Sequence, residues 1–300
     1  VKKLLLAVSA FFAVMLLSGN AYAATTTQWN LDRIDQRSNT LNGQYTPNAS
    51  GLGVHVYVLD TGVRISNTYF AGKAVNGWDF VDNDSVANDC NGHGTNVAGI
   101  VDASTFGVAY RATVVAVRVS QCNGSVNSTT LINGMNWVRT HAIKPAVVNM
   151  SIGFVPARTD IDSATNALIS AGITVVVSAG NSSTDACGQS PARVAGAITV
   201  AATNSANQFW TGSNRGSCVD ILAPGVSIKA TGASSDTATS TYTGTSQASP
   251  HVAAAAAQYL QGHPTATPAQ VDTYLKSRAT VGAISGVPSG TPNRFLYVGA

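Results

Sequence analysis

Glutamate is missing. All 14 acidic residues of this 300-residue chain are aspartate, which excludes an HExxH zinc peptidase and any site built on a catalytic glutamate. The absence is unusual for a chain with several helices, because glutamate is the better helix former. Charge of either sign is scarce. Charged residues make up 10% of the chain and the formal net charge is +3, falling to +1 without Lys2 and Lys3, so there is no basic surface for a nucleic-acid partner. Only four cysteines are present and none stand as CxxC, which argues against a zinc site. Beyond the N-terminus no apolar run is long enough to span a bilayer. A dinucleotide fold needs GxGxxG after a strand and before a helix, whereas Gly51-Leu52-Gly53 precedes its strand. Neither an internal repeat nor a low-complexity linker divides the chain.

What is present begins with a processing signal. Lys2 and Lys3 precede the apolar run Leu4–Leu17, and Ala21-Tyr22-Ala23 supplies a small-x-small cleavage site. Residues 1–23 therefore read as a signal peptide and 24–300 as one secreted, extracellular domain without a membrane anchor. In a secreted chain an even cysteine count reads as two disulfides among Cys90, Cys122, Cys187 and Cys218, with three pairings open.

Short β-branched runs recur at Val54–Leu59, Thr113–Val119, Ala146–Ile152, Ile173–Ser178 and Ala197–Ala202. Most are apolar on both faces, as in strands buried inside a parallel sheet. Helical patterns separate them. Ser128 is placed to cap a stripe of Leu131, Met135, Val138 and Ala142; Asp160 opens a second helix that Gly172 ends; Pro268 starts a third over Ala269–Arg278. The alternation predicts an α/β fold, a mostly parallel sheet with helices on both faces, and ligands beyond the carboxyl ends of the strands.

Four residues stand at such ends. Asp60 closes the strand VYVLD. His93 lies between Gly92 and Gly94 at a helix start, where the helix end disfavours its protonation. Asn181 follows the strand ending SAG. Ser246 lies in YTGTSQASPHVAAAAAQ, where Pro250 and the alanine run read as a loop turning into a helix. These types suit nucleophilic acyl transfer. Serine needs a base, the base needs a carboxylate to fix its tautomer, and a tetrahedral oxyanion needs donors, here the Asn181 amide and the Ser246 N–H.

The segments DTGV, NGHGTNVAG, SAGN and GTSQASPHVA, in that order, resemble the signature segments of the subtilisin-like serine proteases, and the likeness runs over most of residues 28–298. WNLDRIDQR at 29–37 resembles the start of the mature domain in the proteinase K-like branch. The resemblance implies a three-layer subtilisin-like fold and an endopeptidase with Asp60, His93, Ser246 and Asn181 as its catalytic residues. It implies disulfides Cys90–Cys122 and Cys187–Cys218, protein or peptide substrates, no cofactor for catalysis and a monomeric state. Gly124, Ser125, Val126 and Asn127 resemble the edge strand that pairs with an extended peptide, with Ser151, Ile152 and Gly153 opposite and Ser178, Ala179 and Gly180 lining the pocket beside the scissile bond. These small uncharged residues imply a broad apolar or aromatic preference. Structural calcium is also implied: Asp220 with the carbonyls of Ala195 and Ala197 at one site, and Asp32, Asp35 and Gln36 at another, both oxygen sets suited to calcium. Asp82, Asp84 and Asp89 read as a solvated acidic loop rather than a third ion site.

Three departures from the family pattern bear on activity. No folding-assisting propeptide is evident between Ala23 and the mature-like segment. Gln247 replaces an apolar residue beside Ser246, and Asn96 stands where histidine is common. The competing reading from a different class is a catalytically impaired, peptide-binding protein on the same scaffold. The intact catalytic residues argue against it.

Overall fold

The apolar runs form the strands they predict, shifted by a residue or two at their ends. The computed structural model describes residues 24–300; residues 1–23, which read as a signal peptide, lie outside the described residues. The strands are β1 (Ala24–Thr25), β2 (Gln44–Tyr45), β3 (His55–Asp60), β4 (Ala74–Asp79), β5 (Thr113–Arg118), β6 (Ala146–Met150), β7 (Thr174–Ser178), β8 (Ile198–Thr203), β9 (Ile221–Pro224), β10 (Ile228–Thr231), β11 (Thr239–Tyr242), β12 (Thr280–Val281) and β13 (Arg294–Phe295). The helices are α1 (Trp29–Ile34), α2 (His93–Asp102), α3 (Ser128–His141), α4 (Thr159–Ser170), α5 (Thr245–Gly262) and α6 (Pro268–Arg278).

Among the described residues nine strands make one sheet in the order β12-β13-β9-β8-β7-β6-β3-β5-β4. Every pairing from β13 to β4 is parallel, and only β12 joins antiparallel. Alternate residues of each strand face two separate cores. Val56, Val58, Val114, Ala116 and Val176 pack with α2 and α5. Tyr57, Leu59, Val115, Val117, Val148 and Val177 pack with α3 and α4 on the other face. Burial on both faces is why these strands read as continuous apolar runs.

Helix termini differ from the sequence expectation by one residue at the starts of α3 and α4 and match elsewhere. Asn127, not Ser128, caps α3: its side chain accepts from Thr129 N at 2.8 Å while its backbone is still extended, which makes Ser128 the first helical residue. Asp160 lies in the first turn of α4, one residue after the start, where its charge suits the helix dipole. Gly172, with φ of +79°, ends that helix in the left-handed conformation. Thr267 and Gln270 close a capping box across Pro268 at the start of α6. In α5, Ala253 to Ala257 are all buried. Their short side chains let α5 lie against β6, β7 and β8 and against α2 at once. The disulfides are Cys90–Cys122 and Cys187–Cys218, closing sequence separations of 32 and 31 residues. Each loop closure contributes roughly 4 kcal/mol in the chain-entropy model.

Candidate active site

The parallel register brings the carboxyl ends of β3, β6 and β7 to one edge of the sheet, and α2 and α5 both begin there. Asp60 is the last residue of β3 and His93 the first of α2. Gly94 sets their approach. A Cβ on it would lie 2.2 Å from Gly62 O and 3.1 Å from Asp60 Cβ, so only glycine lets the first turn of α2 press against the end of β3. His93 Nδ1 stands 2.7 Å from Asp60 Oδ1. A carboxylate only accepts, so the proton lies on Nδ1 and Nε2 is left as the acceptor. Thr61 N also donates to Asp60 Oδ1, at 2.7 Å.

The electrostatics of His93 reverse the sequence expectation. Burial and the start of α2 act to keep the ring neutral. The charge of Asp60, its hydrogen bond and the charge of Asp89 outweigh burial, and the pKa is raised above the ordinary histidine value.

Ser246 is the second residue of α5, where backbone N–H groups have no intrahelical partner. Its Oγ donates to Ser151 O at 3.4 Å, while Ser151 Oγ donates to Ser246 O at 2.9 Å. The hydroxyl is thus held on the loop that follows β6. Asn149 and Ser249 extend this link between β6 and α5: Asn149 Nδ2 donates to Ser151 Oγ at 3.1 Å, and Ser249 Oγ donates to Asn149 Oδ1 at 2.7 Å.

Asn181 is oriented by Thr245. The Thr245 N–H and Oγ1 both donate to Asn181 Oδ1, at 2.9 and 2.8 Å, and Gly180 N donates to Thr245 Oγ1 at 3.0 Å. A backbone N–H must meet an oxygen, so the amide is fixed with Nδ2 turned away from Thr245 and free to donate. Carboxylate, imidazole, hydroxyl and paired donors for a negative oxygen therefore converge at one sheet edge, the set that acyl transfer requires.

The family model described as the subtilase family matches residues 51–295. The chain belongs to the subtilase family. It is 49% identical over 269 residues to an extracellular serine proteinase of Thermus sp. (strain Rt41A), covering 90% of this chain and 65% of that one. It is 45% identical over 273 residues to alkaline serine exoprotease A of Vibrio alginolyticus, covering 91% of this chain and 50% of that one. The chain thus spans half to two thirds of the length of these relatives. It is also similar to the crystal structure of a cold adapted subtilisin-like serine proteinase, with a TM-score of 0.89 and 45% identity over 92% of this chain and 100% of that one.

In this subtilase a cavity of about 270 Å³ opens beside His93, lined among others by Gly124, Val126, Ser151, Ile152 and Gly153. Segment 124–127 is not a regular strand. Val126 makes a single antiparallel bridge with Ser120, Gly124 turns with φ of +81°, and Asn127 is spent on capping α3. Ser178, Ala179 and Gly180 lie outside that lining. Ser178 and Ala179 are buried, and the Gln189 side chain lies between Gly153 and Gly180, donating to Ala179 O at 2.7 Å. A second cavity, about 390 Å³, opens on the far side of Asn91 and is lined by Gly92, Ser240 and Tyr242 among others.

The two departures near Ser246 meet each other. Gln247 Nε2 lies 3.4 Å from Asn96 Oδ1, and Asn96 Nδ2 donates to Ser240 O and Oγ at 3.1 Å. All three groups bridge α5, α2 and β11, so the polar side chains are partnered where an apolar contact was expected.

The two calcium sets that the family resemblance implies fare differently. Asp220 Oδ2 accepts from Thr199 N at 2.8 Å, and its Oδ1 pairs with Lys276 Nζ at 2.6 Å, with Asp272 2.9 Å from the same ammonium. A lysine already supplies the positive charge, so Asp220 with Ala195 and Ala197 does not fit a cation. Asp32, Asp35 and Gln36 do fit one. They cluster at the end of α1, and Asp35 Oδ1 is buried without a hydrogen-bond partner. Burial, and then the charge of Asp32, push the Asp35 carboxyl up to about 6 against the hydrogen bond from Thr46 N. Asp32 meanwhile accepts from Gln36 Nε2, Asn42 N and Gly43 N.

Asp89 is no solvated loop residue. Its carboxylate gathers the first turn of α2. Sequence reasoning also passed over Thr245, Asn149 and Ser249. Their types signal nothing alone, and their partners are remote along the chain.

Proposed function

We propose that this chain is a secreted serine endopeptidase that hydrolyses peptide bonds through an acyl-enzyme on Ser246. The observation that carries the reading is the Asp60–His93 contact, which leaves His93 Nε2 as a base in a cavity also lined by Ser151, the residue that exchanges hydrogen bonds with Ser246. Ser246 Oγ attacks the substrate carbonyl carbon and its proton passes to His93 Nε2. The resulting oxyanion accepts hydrogen bonds from Asn181 Nδ2 and the Ser246 N–H. The C–N bond then breaks, His93 returns the proton to the leaving amine, and the acyl group stays on Ser246. Water, deprotonated by His93, releases the acid by the reverse route. Asp60 holds the ring and stabilises the imidazolium without taking the proton itself.

The cavities on either side of Asn91 suit an extended polypeptide. Val126, Ile152 and Gly153 favour apolar or aromatic side chains ahead of the scissile bond. Secretion is supported by the cleavage site at Ala21-Tyr22-Ala23 and by disulfides that persist in oxidising compartments. Among the described residues no helix is long and apolar enough to cross a membrane. One structural calcium ion would be held by Asp32, Asp35 and Gln36, which would relieve the buried charge of Asp35.

Ser246→Ala tests the reading. Hydrolysis of a peptide substrate falls by a factor of 10⁴ or more while the fold and disulfides persist. Full activity in that variant contradicts the assignment of Ser246.

A further inference from the structure

Asp89 sits four residues before His93 and accepts hydrogen bonds from three directions. Oδ1 takes Thr61 Oγ1 at 2.9 Å, Asn91 N at 2.9 Å and Gly92 N at 2.8 Å; Oδ2 takes Thr95 N at 2.8 Å and Thr95 Oγ1 at 2.6 Å. The first two backbone donors belong to the turn that delivers His93, and Thr95 is in the first turn of α2. Thr61 closes a loop of contacts. It follows Asp60, donates its hydroxyl to Asp89, accepts from Gly94 N at 2.9 Å, and gives its own N–H to Asp60. Two carboxylates therefore flank His93, one bonded to the ring and one bonded to the backbone that carries the ring.

We propose that Asp89 is a positioning residue of the hydrolytic reaction: it fixes the His93 backbone against Asp60 and supplies a second negative charge that stabilises the imidazolium formed during proton transfer. The inference rests on the serine-hydrolase reading of Ser246. Acting through His93, Asp89 needs no contact with substrate. The charged groups facing His93 are Asp60 from β3 and Asp89 from the preceding turn, with the Tyr242 phenol of β11 packed at 6.4 Å between ring centroids. The upward shift of His93 agrees in direction, since Asp89 is among its causes.

A plain structural cap and a charge that tunes the base differ in what a neutral isostere does. In Asp89→Asn the acid limb of the pH profile of kcat/KM moves to lower pH by roughly half a unit. The plateau falls less than tenfold, because one amide oxygen still accepts. Thr95→Ala keeps the charge and drops one anchor, so its plateau falls while the limb stays in place. A limb that does not move in folded Asp89→Asn, or that moves as far in Thr95→Ala, overturns the proposal. The His93 ring is also titrated by NMR in a Ser246→Ala background. That readout is independent of turnover, so loss of the hydrolytic reading and loss of the Asp89 effect are told apart: a His93 pKa unchanged by Asp89→Asn refutes the latter alone.

Discussion

Ser151 and Ser246 exchange hydrogen bonds: the Ser151 hydroxyl donates to the Ser246 carbonyl at 2.9 Å, and the Ser246 hydroxyl donates to the Ser151 carbonyl at 3.4 Å. Pro250 explains the first half. It lies inside α5, four residues after Ser246, and has no N–H to give to that carbonyl. The proline thus frees the Ser246 carbonyl, and Ser151 takes it, tying the residue after β6 to the first turn of α5.

Removing that tie gives the first prediction. Ser151→Ala leaves the Ser246 carbonyl and Asn149 Nδ2 without their partner. We expect a loss of about 1–3 kcal/mol of stability, the usual cost of an unsatisfied buried polar group. We also expect kcat to fall by about tenfold with KM little changed, because Ser246 loses its alignment and not its substrate contacts. Denaturant melts and steady-state kinetics read the two effects. A kcat within twofold of the parent shows that the tie does not align the nucleophile.

His251 gives the second. It is fully buried in α5, with Nδ1 2.7 Å from Gln247 O and Nε2 2.9 Å from Asn30 Nδ2. Burial, partly offset by the Gln247 hydrogen bond, pushes its pKa down to about 4. The unfolded chain, with an ordinary histidine near 6.5, binds a proton between these values that the native state refuses. The stability from a neutral His251 is therefore complete above pH 6.5 and is lost as pH falls toward 4, about 3 kcal/mol in all. In a Ser246→Ala background, which removes self-digestion, the parent loses about 2 kcal/mol more than His251→Gln between pH 7 and pH 5. Equal losses in the two proteins contradict the assignment.

How far the sequence reached depended on burial. The five central strands were legible because both their faces are apolar. Strand β4 was not, since as the sheet's edge it mixes Asn76, Gly77 and Trp78 and buries little beyond Ala74 and Asp79. Strand β11 was missed for the same reason: Thr239–Tyr242 is polar and mostly exposed. At the site, Asp60, His93, Asn181 and Ser246 stood out because glycines and strand ends mark them. Ser151 was expected only as a groove residue, and its hydroxyl's role depends on a carbonyl 95 positions away. Asp89 read as solvated because it stands with Asp82 and Asp84 in a polar segment; its donors, from Thr61 to Thr95, appear only when β3 and α2 pack. Nor could Asp220 show that Lys276, on a later helix, answers its charge.

The cation-binding contrast supplies a third prediction. In the Ser246→Ala background a calcium chelator lowers the thermal midpoint, and Asp35→Asn removes that response. At one hundred times the dissociation constant, calcium contributes about 2.7 kcal/mol. Lys276→Met lowers the midpoint with or without calcium, because Asp220 and Asp272 then face each other without their shared ammonium. A midpoint unmoved by chelation in metal-free parent protein contradicts the Asp32–Asp35–Gln36 site. A Lys276→Met midpoint equal to the parent's contradicts the role given to Lys276.

The central claim is that Asp60, His93 and Ser246 work as one assembled unit, and covalent labelling tests it most directly. The folded mature chain is treated with a fluorophosphonate and the adduct located by peptide mass. We predict one label per molecule, on Ser246, and none in His93→Ala. A folded, disulfide-intact chain that takes no label, or takes it equally without His93, contradicts the account.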